Sequence, residues 1–121
     1  MDLVSDYATP IQRLSENLNN NSYYIKRDDL TPISFGGNKA RKAILFFEEL
    51  IKKKSDCVVT YGSSSSNHCR VIANIAAAKG FPCHIISPTE SSYLTSNSEM
   101  IKLFGAFVTK CSVSQVSITI E

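Results

Sequence analysis

Residues 57–87 read CVVTYGSSSSNHCRVIANIAAAKGFPCHIIS. Two short apolar runs, CVVTYG and PCHIIS, flank an alanine-rich stretch that ends at Gly80. Apolar runs of this length are typical of strands buried on both faces, and a glycine after an apolar periodic stretch is a common helix stop. The stretch therefore predicts a strand, a helix and a second strand. The serine run at residues 63–66 then lies in the loop that joins the first strand to the helix.

The same alternation continues to the end of the chain. A helix is expected over about residues 97–103, followed by a stop at Gly105, a strand over residues 106–110 and a helix start after Val113. Strands that alternate with helices predict right-handed βαβ units, and so an α/β fold with a parallel sheet and helices on both faces. Ligands bind at the carboxyl ends of such strands, which is where the serine run lies.

The first part of the chain has a different pattern. Residues 22–26 favour a short strand, because they carry two tyrosines and an isoleucine. From residue 38 to about residue 53 apolar residues recur about every four positions, which predicts an amphipathic helix. The expected buried face consists of Ala40, Ile44, Phe47 and Ile51. Gly36 and Gly37 stand directly before this helix.

Composition excludes several classes of function. The 121 residues carry a net charge of only +2, spread along the chain, which gives no basic face for nucleic acid or for an anionic membrane. No run of about 18 apolar residues exists, and the start MDLVSDYATPIQ lacks a leader pattern, so a cytoplasmic protein is expected. The four cysteines lack C-x-x-C spacing, which favours free thiols over a disulfide framework or a metal site.

Two stretches carry candidate chemistry, GGNKARK at residues 36–42 and SSSSNHCR at residues 63–70. Both lie where a loop meets a predicted helix start, and helix amino-termini attract anions. Lys39 falls in a first turn, where a cation is unfavourable. Desolvation beside Phe35 would lower its pKa and let it form an imine with an aldehyde cofactor. The residues alone leave open a surface lysine at Lys39 and a simple helix cap at Asn67.

The order of four motifs resembles a known family. TPIQRLSENL, YYIKRDDL, GGNKARK and then SNHCR after a serine loop are similar to the opening of the D-cysteine desulfhydrase and aminocyclopropane-carboxylate deaminase family. That family has the tryptophan-synthase-like fold of pyridoxal-phosphate enzymes. The resemblance runs from about Thr9 to Ser87 and then fades.

The resemblance implies a role for each site residue. Lys39 matches the catalytic lysine that holds pyridoxal 5'-phosphate, and Asn67 matches the asparagine that hydrogen-bonds the phenolic oxygen of the cofactor ring. Ser66, with the backbone of Asn67 and His68, matches the group that receives the substrate carboxylate. His68 either orients substrate and moves protons or is only a polar residue at a helix start. Asn38 and Arg41 match positions whose roles are expected to be structural.

Two departures limit the resemblance. Ser65 stands where family members often carry glutamine, and the chain is much shorter than they are. Residues 1–54 are expected to belong to a large cofactor domain and residues 55–121 to an incomplete small α/β domain. No second glycine-rich loop is present to bind the cofactor phosphate.

The implied function is a lyase or deaminase acting on a small amino acid, seen here as an amino-terminal fragment. SNH favours D-cysteine, giving pyruvate, sulfide and ammonia, over the cyclopropane amino acid. By analogy the full-length enzyme would be a homodimer. An inactive truncated homologue and a small flavodoxin-like phosphate-binding module remain the alternatives.

Overall fold

A computed structural model describes residues 8–14 and 19–120. The strands of these residues are β1 (Ile11–Arg13), β2 (Tyr24–Lys26), β3 (Val58–Tyr61), β4 (Cys83–Pro88) and β5 (Phe107–Cys111). The α-helices are α1 (Asn38–Lys52), α2 (Asn67–Lys79), α3 (Ser96–Leu103) and α4 (Val116–Ile120). Across these two ranges we find no helix with the length and apolarity that a bilayer crossing requires. The start MDLVSDYATPIQ, for which no leader pattern was expected, lies outside the described residues over residues 1–7.

The second half of the chain forms a parallel sheet of three strands in the order β3-β4-β5. Val58 is opposite Cys83 in the first pair, and His84 is opposite Phe107 in the second. Helices α2 and α3 make the two crossover connections. The predicted α/β fold with a parallel sheet flanked by helices is therefore confirmed. Because all three strands are parallel, their carboxyl ends lie at one edge of the sheet, with the serine loop after β3.

The first half adds an antiparallel pair, β1 with β2, and then α1. The sequence analysis predicted β2 but not β1, whose three residues are all exposed and so show no burial pattern. Helix α1 packs on α2, and α2 packs on β3, β4 and α3. One continuous core therefore joins α1 to the sheet.

The core confirms most of the predicted face of α1 and corrects one residue. Phe47 is fully buried together with Ala40 and Ala43, whereas Ile51 is 51% exposed. Ile51 lies in the last turn of α1, where Leu50 packs against the core instead. The prediction for Ile51 was wrong because the periodic pattern does not show which side chain of the last turn faces the core.

All four cysteines are free thiols, as the spacing predicted. Cys69 on α2 is fully buried, and Cys83 at the start of β4 is 5% exposed. Burial raises the pKa of the Cys69 thiol. Burial, together with the neighbouring Cys69, raises the pKa of Cys83 to about 11. Both thiols therefore remain protonated and behave as small apolar side chains.

Candidate active site

The turn before α1 has an unusual backbone. Four consecutive residues have positive φ, namely Ser34 (49°), Phe35 (63°), Gly36 (73°) and Gly37 (94°). A Cβ at Gly36 would lie 2.5 Å from the carbonyl oxygen of Asp29 and 2.7 Å from that of Asp28. Both the dihedral angle and the close approach require glycine at this position. The Gly37 N–H donates to the Asp28 carbonyl oxygen at 2.8 Å, which fixes the turn against the segment after β2.

The side chain of Asp28 fixes α1 itself. Its carboxylate accepts from Arg41 Nε at 2.9 Å, from Arg41 Nη2 at 2.8 Å and from the Thr9 hydroxyl at 2.8 Å. These hydrogen bonds, first from Arg41 and then from Thr9, lower the pKa of Asp28 to about 2. Asp28 therefore contacts the lysine-bearing helix through its side chain and the preceding turn through its carbonyl. Arg41 has the structural contact expected for it.

Lys39 lies in the first turn of α1 and is half-buried. The N-cap residue, Gly37, has no side chain to cap the helix, and the first turn holds no acidic residue. Among residues 8–14 and 19–120, no carboxylate forms an ion pair with the Lys39 ammonium. A cation is thus held at the positive end of a helix dipole without a compensating charge. Such a local conflict is typical of a functional residue.

The start of α2 is built differently. Ser66 is the N-cap, and its hydroxyl oxygen accepts from the Cys69 N–H at 3.2 Å. Asn67, for which a capping role was the alternative, is the first helical residue instead, and it is exposed. A Cβ at Gly62 would lie 2.6 Å from Cys69 Sγ and 2.9 Å from Ser66 Oγ. Strand β3 therefore passes into α2 through a tightly packed turn.

Arg70 joins the two helix starts. Its guanidinium donates to the carbonyl oxygen of Ser34 and, at 3.2 Å, to the Ser34 hydroxyl. Nη2 lies 3.4 Å from Asn67 Oδ1, and the guanidinium carbon lies 5.7 Å from the centre of the Phe35 ring. Phe35, expected to cover Lys39, is 77% exposed and lies over Arg70. Arg70 itself is only 7% exposed, so one buried cation connects the glycine turn to α2.

His68 lies on α2, and its side chain contacts β3 and α1. Its Nε2 is 2.9 Å from the Thr60 hydroxyl, and its ring meets the Phe46 ring edge-on at 6.5 Å. Burial lowers the pKa of His68, and the positive charges of Lys39 and Lys42 lower it further. His68 is therefore neutral at neutral pH. Helix α1 packs on α2, and Arg70 of α2 binds Ser34 in the turn before α1, so the two motifs identified in the sequence lie close together.

The sequence analysis missed a contribution from α3. Asn97 Nδ2 donates to the Ser65 carbonyl oxygen at 2.7 Å and to Asn67 Oδ1 at 3.1 Å. The Thr95 hydroxyl, which caps α3, donates to the Ser64 carbonyl oxygen at 2.6 Å. The Thr-Ser-Asn-Ser run at residues 95–98 is typical of a helix start, but no local pattern indicated that this start contacts the serine loop. The described part of the chain thus joins three helix starts around the serine loop.

Comparison with known proteins identifies the family. The model of the family described as pyridoxal-phosphate dependent enzyme matches residues 5–119. D-cysteine desulfhydrase of Serratia proteamaculans is 39% identical over 119 residues, covering 92% of this chain and 36% of the relative. D-cysteine desulfhydrase of Yersinia enterocolitica is 37% identical with the same coverage. A crystal structure of an ACC deaminase homologue superposes with a TM-score of 0.77 at 30% identity, covering 93% of this chain and 36% of that one.

The site residues fit one end of the family's cofactor. Lys39 is a lysine without an ion-pair partner in the described ranges, at the start of a helix that packs on α2. An aldehyde cofactor needs such an amine, and the polar start of α2 provides donors for a ring oxygen and a carboxylate. No glycine-rich phosphate loop follows Gly37, in agreement with a chain that spans about a third of its curated relatives.

The family match also excludes the flavodoxin-like alternative. It extends beyond both motifs and covers the sheet, the three helix starts and the glycine turn. The expected fold class, the tryptophan-synthase-like fold of these enzymes, is confirmed for the part of the fold that this chain contains. The match and the arrangement of Lys39 beside α2 lead to one conclusion: the chain belongs to the family of pyridoxal-phosphate-dependent enzymes.

Proposed function

We propose that this chain forms the amino-terminal part of a lyase or deaminase that acts on a small amino acid. Residues 1–54 would belong to the large cofactor domain and residues 55–121 to the small α/β domain. The observation that carries the proposal is the Lys39 ammonium, which has no ion-pair partner among the described residues and lies at a helix start that Arg70 joins to the polar start of α2. A solvated surface lysine would not require the glycine turn, Asp28 and Arg70 to fix its helix start.

Each site residue has a proposed task. Pyridoxal phosphate, when bound, withdraws electrons from the α-carbon of an amino acid. Lys39 Nζ would hold the cofactor aldehyde and would move a proton at the substrate carbon. The Asn67 amide would donate to the ring oxygen. These two roles rest on the family's motif, and the half-buried position of Lys39 supports the first.

The start of α2 is proposed to bind the substrate carboxylate. Ser66 Oγ uses a lone pair to cap Cys69, so its proton remains available to an anion. The first N–H groups of α2, at Asn67 and His68, add the partial positive charge of a helix amino-terminus. His68 is neutral and bonded to Thr60, which suits a side chain that orients substrate rather than one that neutralises it.

D-cysteine is the proposed substrate, and its products would be pyruvate, sulfide and ammonia. The relatives at 37% and 39% identity are named D-cysteine desulfhydrase, which supports this choice. Aminocyclopropane carboxylate is the second candidate, since the ACC deaminase homologue shares the fold of this region. A homodimer is proposed for the whole enzyme. Sulfide released from D-cysteine but not from L-cysteine would support the first substrate.

The test begins with the polypeptide that the gene produces in its own cells. We expect its mass to exceed that of residues 1–121, and borohydride reduction with pyridoxal phosphate to label Lys39. Lys39→Arg should abolish the label, whereas the matched control Lys42→Arg, one turn along α1, should retain it. A label on Lys26, Lys42 or Lys79 would refute the assignment of Lys39. A native polypeptide of 121 residues that takes no label would favour the inactive homologue.

A further inference from the structure

The positions of the side-chain nitrogen and oxygen of Asn97 are determined by the acceptor that the side chain contacts. Its side-chain amide lies 2.7 Å from the backbone carbonyl oxygen of Ser65, which can only accept a hydrogen bond. The atom at this position must therefore be the nitrogen, Nδ2. The same nitrogen lies 3.1 Å from the side-chain amide of Asn67. Because Nδ2 has two protons, it donates one to each partner.

The amide of Asn67 is consequently fixed as well. Asn97 Nδ2 donates to it at 3.1 Å, and Arg70 Nη2, three residues further along α2, donates to it at 3.4 Å. A guanidinium has only donors, so both neighbours require an oxygen at the same position. Asn67 must therefore place Oδ1 against α3 and Arg70. Its Nδ2 is the remaining group, and within the described residues that nitrogen donates to no protein atom.

The two donors are held by distant parts of the chain. Asn97 is 30 positions from Asn67, and Arg70 also binds Ser34, which is 36 positions before it. Arg70 is buried and loses hydration, so its donors have little freedom to turn toward water. Asn67, in contrast, is exposed. The buried Arg70 donor and the Asn97 donor on α3 thus determine which end of the exposed Asn67 amide faces a ligand.

We propose that Asn97 is a positioning residue, which together with Arg70 holds the Asn67 amide with its NH₂ group toward the ligand. This arrangement selects a hydrogen-bond acceptor, such as a phenolate oxygen, over a donor. The identity of the acceptor as the cofactor ring oxygen rests on the proposed function. The orientation of the amide does not, because it follows from Ser65, Arg70 and Asn97 alone.

The orientation is tested without any cofactor by ¹⁵N side-chain amide spectra of the protein. In the wild type the Asn67 NH₂ protons should exchange freely with water. Asn97→Asp replaces the donor by an acceptor, so the Asn67 amide should rotate and donate to the new carboxylate. Its slower proton should then exchange at least about tenfold more slowly, as expected for a hydrogen bond to a charged group.

Ser96→Asp is the matched control, since it adds the same charge one residue earlier in the first turn of α3. We expect it to leave Asn67 exchange unchanged. If Asn67 is already protected in the wild type, or if Asn97→Asp and Ser96→Asp behave alike, the proposal is wrong. Should Asn97→Asp fail to fold, Asn97→Ser offers a second measurement. The serine loses one of the two donated bonds, and the Asn67 signals should then shift or broaden.

A second readout separates this proposal from the proposed function. In the native polypeptide with pyridoxal phosphate, Asn97→Asp and Asn67→Ala should each shift the absorbance of the bound cofactor and its pH midpoint. If Asn67→Ala leaves that absorbance unchanged while the exchange result holds, the amide is oriented as proposed but serves another acceptor. The proposed function of Asn67 then fails and the role of Asn97 stands.

Discussion

The two helix starts of the site solve the same problem in opposite ways. Helix α2 is capped from within, by a serine whose hydroxyl accepts the third N–H of its own helix. Helix α1 has a glycine cap with no side chain and depends on residues outside it. The Asp28 carbonyl holds the turn before α1, and Arg70 holds the same turn from α2.

The two helix starts therefore depend on different parts of the sequence. At α2 the local sequence is sufficient, because Ser66 supplies its own cap. At α1 the backbone stays open, with its first N–H groups free of side-chain caps and a lysine among them. An open start of this kind costs stability locally, and long-range contacts compensate for it. Substitutions should therefore affect α1 through distant neighbours and α2 through adjacent ones.

The largest expected effect is at Gly36. Gly36→Ala adds a Cβ within 2.8 Å of the Asp28 and Asp29 backbone at φ +73°, so the free energy of unfolding should fall by about 2–5 kcal/mol. Gly80→Ala is the matched control, since Gly80 has the same φ of +73° but no atom within 4 Å of its Cβ position. It should cost about 1–2 kcal/mol. Urea unfolding of the two variants measures the difference, and equal costs would show that external contacts do not hold the α1 turn.

The next effect concerns the turn into α2. Gly62→Ala should lower the free energy of unfolding by about 1–3 kcal/mol, because the new Cβ meets Cys69 Sγ at 2.6 Å and Ser66 Oγ at 2.9 Å. Gly62 has an ordinary φ, so the cost is steric alone. Gly62→Ala combined with Cys69→Ala should recover part of the loss, since the nearest atom is then removed. No recovery in a double-mutant cycle would contradict the packing described for this turn.

A smaller loss is expected from the cap itself. Ser66→Ala should cost about 1 kcal/mol of stability, the usual value for a lost N-cap. Ser66→Asp keeps an acceptor for the Cys69 N–H and should restore most of it, while repelling a substrate carboxylate. Thermal unfolding gives the first comparison and binding of the amino acid gives the second. If Asp and Ala at this position are equally unstable, Ser66 does not act as the cap.

The smallest expected effect is at Asp28, and it depends on pH. Asp28 has a folded pKa of about 2, below its usual 3.8, so its contribution to stability is complete above about pH 4. That contribution is lost as the pH falls through about 2. Asp28→Asn should therefore remove part of the stability change between these pH values. Asp56→Asn, an exposed aspartate with no ion pair in the described ranges, serves as the control and should leave the acid unfolding curve unchanged.

Local patterns were enough to predict most of the fold. The helix at residue 38, the helix after the serine run and the parallel strand order all follow from short-range periodicity and glycine stops. Lys39 and Asn67 were selected as candidates by the family's motifs, Lys39 also by its conflict with the helix dipole, and their roles stay predictions. Arg70 and Asn97 were not, because their partners lie 36 and 30 residues away and leave no trace in local spacing. The capping alternative for Asn67 was wrong because the local pattern does not fix the helix start to a single residue. A shift of one residue decides whether Ser66 or Asn67 reaches the free N–H.

The reactivity of the buried Cys69 thiol reports on the opening of the candidate site. It lies directly beneath the turn into α2, fully shielded, with its pKa raised by burial. A thiol-reactive reagent reaches this sulfur only when the start of α2 moves away from the sheet. The exposed Cys57 reacts without such a delay and sets the reference rate. The ratio of the two alkylation rates therefore measures how often the candidate site opens, with no label added to the protein.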